Sequence, residues 1–217
     1  TESVFPSVTK IQTEGTFAFA GSGAIEGVGS LVKNGSGKLV VSNTNKYTGK
    51  TIIQEGILET AVMTNGGVAS PIGSASKAAT NIVVDGGTLN YMGATASTDR
   101  GITFGAKGGV VNVTNSGTTL AGTGQLTGPG RFIKDGPGKI SLSVANNYTG
   151  GTTIKAGSII FTTDIANVSG IGSQDTITLM GGSIVMFDSP TTDNTSSWNL
   201  KIPQGYTGTL NTDSRSV

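Results

Sequence analysis

Residues 31–56, LVKNGSGKLVVSNTNKYTGKTIIQEG, are written again at 132–157 as FIKDGPGKISLSVANNYTGGTTIKAG. Lys33, Gly35, Gly37 and Lys38 return as Lys134, Gly136, Gly138 and Lys139. Asn45, Tyr47, Thr48, Gly49 and Gly56 return as Asn146, Tyr148, Thr149, Gly150 and Gly157, all at an offset of 101. From 20–59 to 121–160 the stretches agree at 17 of 40 positions without a gap. A chain that repeats at fixed spacing builds the same supersecondary unit more than once. The match continues from PIGSAS at 71 to GIGSQ at 170, and from Gly86-Gly87 to Gly181-Gly182. The second copy has lost residues within Ser74–Thr80, a polar stretch that reads as a surface loop. The expected organisation is a single domain over 1–217: a lead-in at 1–19, then repeats at 20–120 and 121–217.

Within each copy the apolar runs are short, such as Leu39-Val40-Val41, Thr51-Ile52-Ile53 and Ile82-Val83-Val84, and Gly, Asn, Asp or Ser separates them. Runs of this length between turn residues are strands. Strands so short, with single glycines at the corners, predict an all-β solenoid, a parallel β-helix in which each coil stacks on the last about 4.8 Å away. At roughly 22 residues per coil the chain would make nine or ten coils. Gly35, Gly37, Gly49 and Gly56 then mark corners where φ is positive or no side chain fits, as do Gly136, Gly138, Gly150 and Gly157. Asn45 and Asn146 suit αL geometry with a bond to their own backbone. Tyr47 and Tyr148 are expected to bury their rings and leave their hydroxyls wet. Lys33, Lys38, Lys134 and Lys139 read as a solubilising surface stripe.

Composition narrows the function. Net charge is +1 and only 12% of residues are charged, so no strong field is available to recognise nucleic acid. Cysteine and histidine are absent. That excludes disulfides, thiolate metal sites and a Ser-His-Asp triad, and removes the commonest general base. No apolar run approaches the ~20 residues of a membrane span, so direct insertion is not expected. The opening TESVFPSVTK lacks a charged-then-apolar signal layout. The expectation is a removed signal or a segment of a longer chain.

The spaced pattern of Lys, Gly, Asn, Tyr, Gly and Gly over 29–59 and 128–160, with the IGS…GG continuation at 72–89 and 171–184, resembles the autotransporter-associated β-strand repeat of bacterial surface proteins. The resemblance covers most of the chain. It implies a right-handed parallel β-helix exported to the bacterial cell surface or extracellular space, and the family's repeat has no catalytic residues to carry over. The ten-residue alternating strands of a translocator barrel are not found in this sequence.

Aspartates stand at 85, 99, 135, 164, 175, 188, 193 and 213. Asp188 and Asp193 are the nearest pair in Asp/Asn company, in a stretch that reads as a solvated loop. Asn211–Asp213 matches one element of a polygalacturonase-type site, but the paired aspartates and histidine of such a site are missing. Gly49-Lys50-Thr51 lacks the upstream glycine and following helix of a phosphate loop. No catalytic residue, cofactor or metal site is expected. Aromatics on a solenoid face can stack on sugars, which makes Trp198, Tyr91 and Tyr206 the candidate glycan contacts. The leading expectation is a structural or adhesin-like segment of a large surface protein, with a host surface or glycan as partner. The alternative is a polysaccharide-binding or polysaccharide-degrading module.

Overall fold

The computed structural model describes residues 3–161, 176–181, 183–187 and 199–211. The chain is an all-β parallel solenoid with three faces. The first face holds Val8–Gln12, Ser30–Asn34, Thr51–Ile53, Ile82–Val84, Ile102–Phe104 and Leu126–Thr127. Along the central face run Thr16–Phe19, Lys38–Val41, Ile57–Thr60, Thr88–Tyr91, Gly109–Val113, Phe132–Asp135, Thr152–Ile154, Thr176–Leu179 and Asn199–Lys201. The third face holds Ala96–Thr98, Thr119–Gly122, Lys139–Leu142, Ser158–Phe161, Ser183–Phe187 and Gly208–Asn211. Among the described residues, nine strands stack on the central face but only six on each flanking face, which at three strands per turn amounts to about 7 turns, fewer than the nine or ten expected. Coil length also varies: Thr51 pairs with Ile82, 31 residues on, where Leu31 to Thr51 takes only 20. Ser74–Thr80 lies in that long coil as a mostly exposed loop closed by a 3-10 turn at Ala79–Asn81.

Parallel pairing in register stacks like on like. Leu39, Leu58, Leu89 and Val111 form one inward ladder, continued by Lys134, Ile154 and Leu179, with exposed Phe17 in register at its open end. Leu120, Ile140 and Ile159 line the third face. Alternation along each strand explains this lining: the in-facing residue is buried and its neighbours are partly exposed, as in the iBiBi pattern of Ser30–Asn34. Burial of this aliphatic column is the main source of stability.

The two repeats do not occupy equivalent faces. Strands Ser30–Asn34 and Lys38–Val41 lie on the first and central faces. Their counterparts Phe132–Asp135 and Lys139–Leu142 lie on the central and third faces. Following the register up the first face, Leu31 leads to Thr51, Ile82, Ile102 and Leu126. Those four coils take 95 residues, six short of the repeat offset, so the second copy begins one face further round. Position 121, where the second copy starts, falls inside the strand Thr119–Gly122. Residues 8–12 and 16–19 of the lead-in already belong to the solenoid as paired strands.

Candidate functional site

The residues that recur at both copies turn their polar atoms inward. Lys33 shares strand parity with buried Leu31 and is itself fully buried. Its Nζ donates to the carbonyls of Asn34 (2.8 Å), Gly35 (2.6 Å) and Glu55 (3.2 Å). Lys134 is equally buried and donates to Asp135 (2.5 Å), Gly136 (2.7 Å) and Ala156 (3.2 Å). Each ammonium joins one glycine corner to the corner of the next coil. The surface-stripe reading is therefore wrong for Lys33 and Lys134. Lys38 remains at the surface, half-exposed in a 2.8 Å ion pair with Glu59, and Lys139 is partly exposed.

Gly56 explains one of the fixed glycines. Its φ is +64°, and a Cβ there would lie 2.3 Å from the Gly37 carbonyl and 2.7 Å from Lys33 Nζ. The glycine is required by the ammonium as well as by the corner. Gly49 differs: a Cβ there would lie 2.2 Å from the Gly29 carbonyl, so close backbone approach between coils decides it.

Asn45 and Tyr47 build the unstranded third side of the first copy. Asn45 Oδ1 accepts from the Ile25 amide at 2.9 Å, and its Nδ2 donates to the Pro71 carbonyl at 2.9 Å. Its side chain thus links the coil before to the coil after, and does not bond its own backbone as expected. Asn146 likewise accepts from the Leu126 amide at 2.7 Å. The Tyr47 hydroxyl is buried against Thr51 Oγ1 (2.7 Å), which in turn donates to the Ile72 carbonyl. Tyr148 pairs with Thr152 in the same way, and its ring stands edge-on to Phe104 and Phe132. Neither hydroxyl is wet, and desolvation raises both phenols well above their ordinary range.

Burial also pushes the Lys134 amine down to about 8, opposed by nearby Asp135. Lys33 is lowered for the same reason, opposed by Glu55 and Glu14. The signs fix a pH profile. A lysine whose folded pKa lies below its unfolded value contributes stability that grows as pH rises from about 8 toward the unfolded value of 10.5. A phenol raised above 10.0 contributes stability that is lost as pH climbs past 10.0. Urea unfolding of the chain is expected to show greatest stability between about pH 9 and pH 10. In Lys134→Met the rise between pH 8 and 9 should be visibly smaller; an unchanged slope would contradict the burial of that ammonium.

Arg100 is the residue that sequence reading missed. It is buried and donates to four carbonyls: Thr64 (3.0 Å), Ala75 (3.1 Å), Val68 (2.9 Å) and Gly73 (3.0 Å). Beside it, Asp99 Oδ1 accepts from the Gly66 amide at 2.7 Å. Together they order the long coil between Ala61 and Ala78. Its one signal in the sequence is an arginine two residues beyond the strand residue Thr98, a position that gives no hint of carbonyls more than twenty residues away. Arg100→Met is expected to loosen this loop by about 3 kcal/mol while the sheets stay paired. Hydrogen exchange at the Gly67 and Gly73 amides would then quicken at least about tenfold; protection equal to the parent at both amides would refute the role.

The described aspartates serve turns. Asp85, Asp99 and Asp135 each accept from a backbone amide, of Lys107, Gly66 and Gly136. Among the described residues, no group of three or more acidic, histidine or cysteine side chains could hold one metal ion. No helix there is long and apolar enough to cross a membrane. Asp164, Asp175, Asp188, Asp193 and Asp213 lie outside the described residues, as does Trp198. Tyr91 is buried, with its hydroxyl donating to the Ala94 carbonyl at 2.6 Å, so it presents no face to a glycan. Tyr206 is exposed in the turn after Pro203. Of the three aromatics, the two that lie among the described residues, Tyr91 and Tyr206, therefore do not share an exposed site.

The model of the passenger-associated-transport-repeat family matches residues 31–59 and 132–160. These are the two stretches that hold the lysine staple and the asparagine–tyrosine corner. Over 125 residues the chain is 42% identical to the adhesin BmaC autotransporter of Brucella suis biovar 1 (strain 1330). That alignment covers 57% of this chain and 4% of the relative. No solved structure matches the chain.

Proposed function

Because the chain carries two passenger-associated-transport repeats, we propose that it is a rod segment of an exported bacterial surface protein, an adhesin-like passenger. The 42% identity to a stretch of an autotransporter adhesin carries this reading. The fold supports it physically. The recurring Lys33 and Lys134 join coil to coil, as does Asn45, so the repeat extends a rod and leaves the outer faces free to vary. The coil is taken as right-handed, as crossovers between parallel strands of one sheet almost always are. Its place is the cell surface or the extracellular space, with a host surface or glycan as partner.

The experiment is antibody labelling of intact source cells with serum raised against the purified chain. Labelling of unpermeabilised cells, removed by external protease, is the expected result. Labelling only after permeabilisation overturns the reading.

A further inference from the structure

Among the positions at which the two copies differ, one pair changes the shape of the surface. Arg131 and Gly151 of the second copy stand where the first has Ser30 and Lys50. In the first copy Ser30 Oγ accepts from the Lys50 amide at 3.0 Å. In the second, Arg131 Nε donates to the Gly150 carbonyl at 3.3 Å, and Gly151 adds no side chain beside it, a Cβ there meeting only the Thr176 carbonyl at 3.4 Å. A depression of about 200 Å³ results, lined by Arg131, Thr149, Gly151, Thr152, Thr176 and Thr178. Thr176 and Thr178 lie on the outer side of their strand, alternating with buried Ile177 and Leu179. Thr153, the register partner of Thr178, is buried with no hydrogen-bond partner for its Oγ1. Arg131 is exposed, and no ion pair engages it among the described residues.

We propose that this depression binds one ring of an acidic saccharide. A planar guanidinium with free donors matches a carboxylate or sulfate in two parallel hydrogen bonds. Threonine hydroxyls both donate and accept, which suits the hydroxyls of a sugar. The volume is below the ~300 Å³ of the smaller drug-sized pockets, so it admits a single ring with the polymer running outward. The shared chemistry is an anionic sugar, whether uronate or sulfate ester. The site rests on the reading of the chain as a surface interaction segment and gives that segment a ligand class.

The test is an amide NMR titration of the whole chain with methyl β-D-glucuronide, glucose 6-sulfate, methyl β-D-glucoside and sodium acetate. Saturable shifts at Gly150, Gly151, Thr176 and Thr178 are expected with the first two and not with the last two. The stronger of the two assigns uronate or sulfate. Arg131→Ser installs the residue that the first copy carries at this position, so it should fold with an unchanged melting temperature. Its binding should weaken at least about tenfold. Equal response to glucoside, full reproduction by acetate, or intact binding in Arg131→Ser overturns the site. A silent titration with intact cell-surface labelling removes the saccharide site and leaves the rod reading standing; saturable shifts without surface labelling do the reverse.

Discussion

Lys33→Met is expected to lower the unfolding free energy by about 3 kcal/mol or more. The substitution keeps an unbranched stem and removes the ammonium. The buried Gly35 carbonyl and the part-buried carbonyls of Asn34 and Glu55 then lose their donor. An opposing effect must be weighed, because replacing a buried charge by an apolar group also removes its desolvation penalty. That relief prevails when the partners are replaced as well; here the carbonyls belong to the backbone and stay. Lys134→Met should cost a similar amount through Asp135, Gly136 and Ala156. The two staples sit four turns and one face apart, so the double variant should lose close to the sum. Urea unfolding monitored by far-UV circular dichroism measures all three. A loss under about 1 kcal/mol in both single variants would show that water or a neighbouring group replaces the ammonium.

Tyr47→Ala is the second large effect, expected to cost about 3–5 kcal/mol. The ring is fully buried, and its removal also leaves Thr51 without its phenol partner. Tyr47→Phe separates the contributions: it keeps the packing, loses one hydrogen bond, and should cost only about 1 kcal/mol. Gly49→Val belongs with the alanine variant, since its Cβ would press on the Gly29 carbonyl and carbon, which are backbone atoms of the coil beneath. Melting temperatures of the three variants give the ranking. Parity of Tyr47→Ala with Tyr47→Phe would mean that the corner collapses to fill the hole, and the packing role would fail.

Much of the coil was legible in residue order. Short β-branched runs between glycines can bury one face only by stacking, and the alternation in Ser30–Asn34 states which side chains point in. Gly49 and Gly56 were readable as sites without room for a side chain. The inward lysine is legible too, for Lys33 shares parity with Leu31, although lysine is ordinarily a surface residue and is buried only where its ammonium finds partners. Tyr91 misled in the opposite way: an aromatic outside the repeat looked available, yet it ends a strand whose parity and corner bury it. The Arg131 depression was not legible, because it depends on what Gly151 lacks and on which strand comes to lie beside it.

The sequence by itself determined the chemistry of a coil: strand lengths, corners, and the residues that join one rung to the next. Only the tertiary structure decided where each coil lies around the axis. That phase is a running total of coil lengths, and the long step from Thr51 to Ile82 and the shorter ones around it sum to four turns with six residues to spare before the motif returns. No local pattern carries such a total. Two copies of one motif therefore face different ways, and the groups that meet across coils, such as Lys33 with Glu55 or Arg100 with Thr64, become neighbours only once the stack has formed.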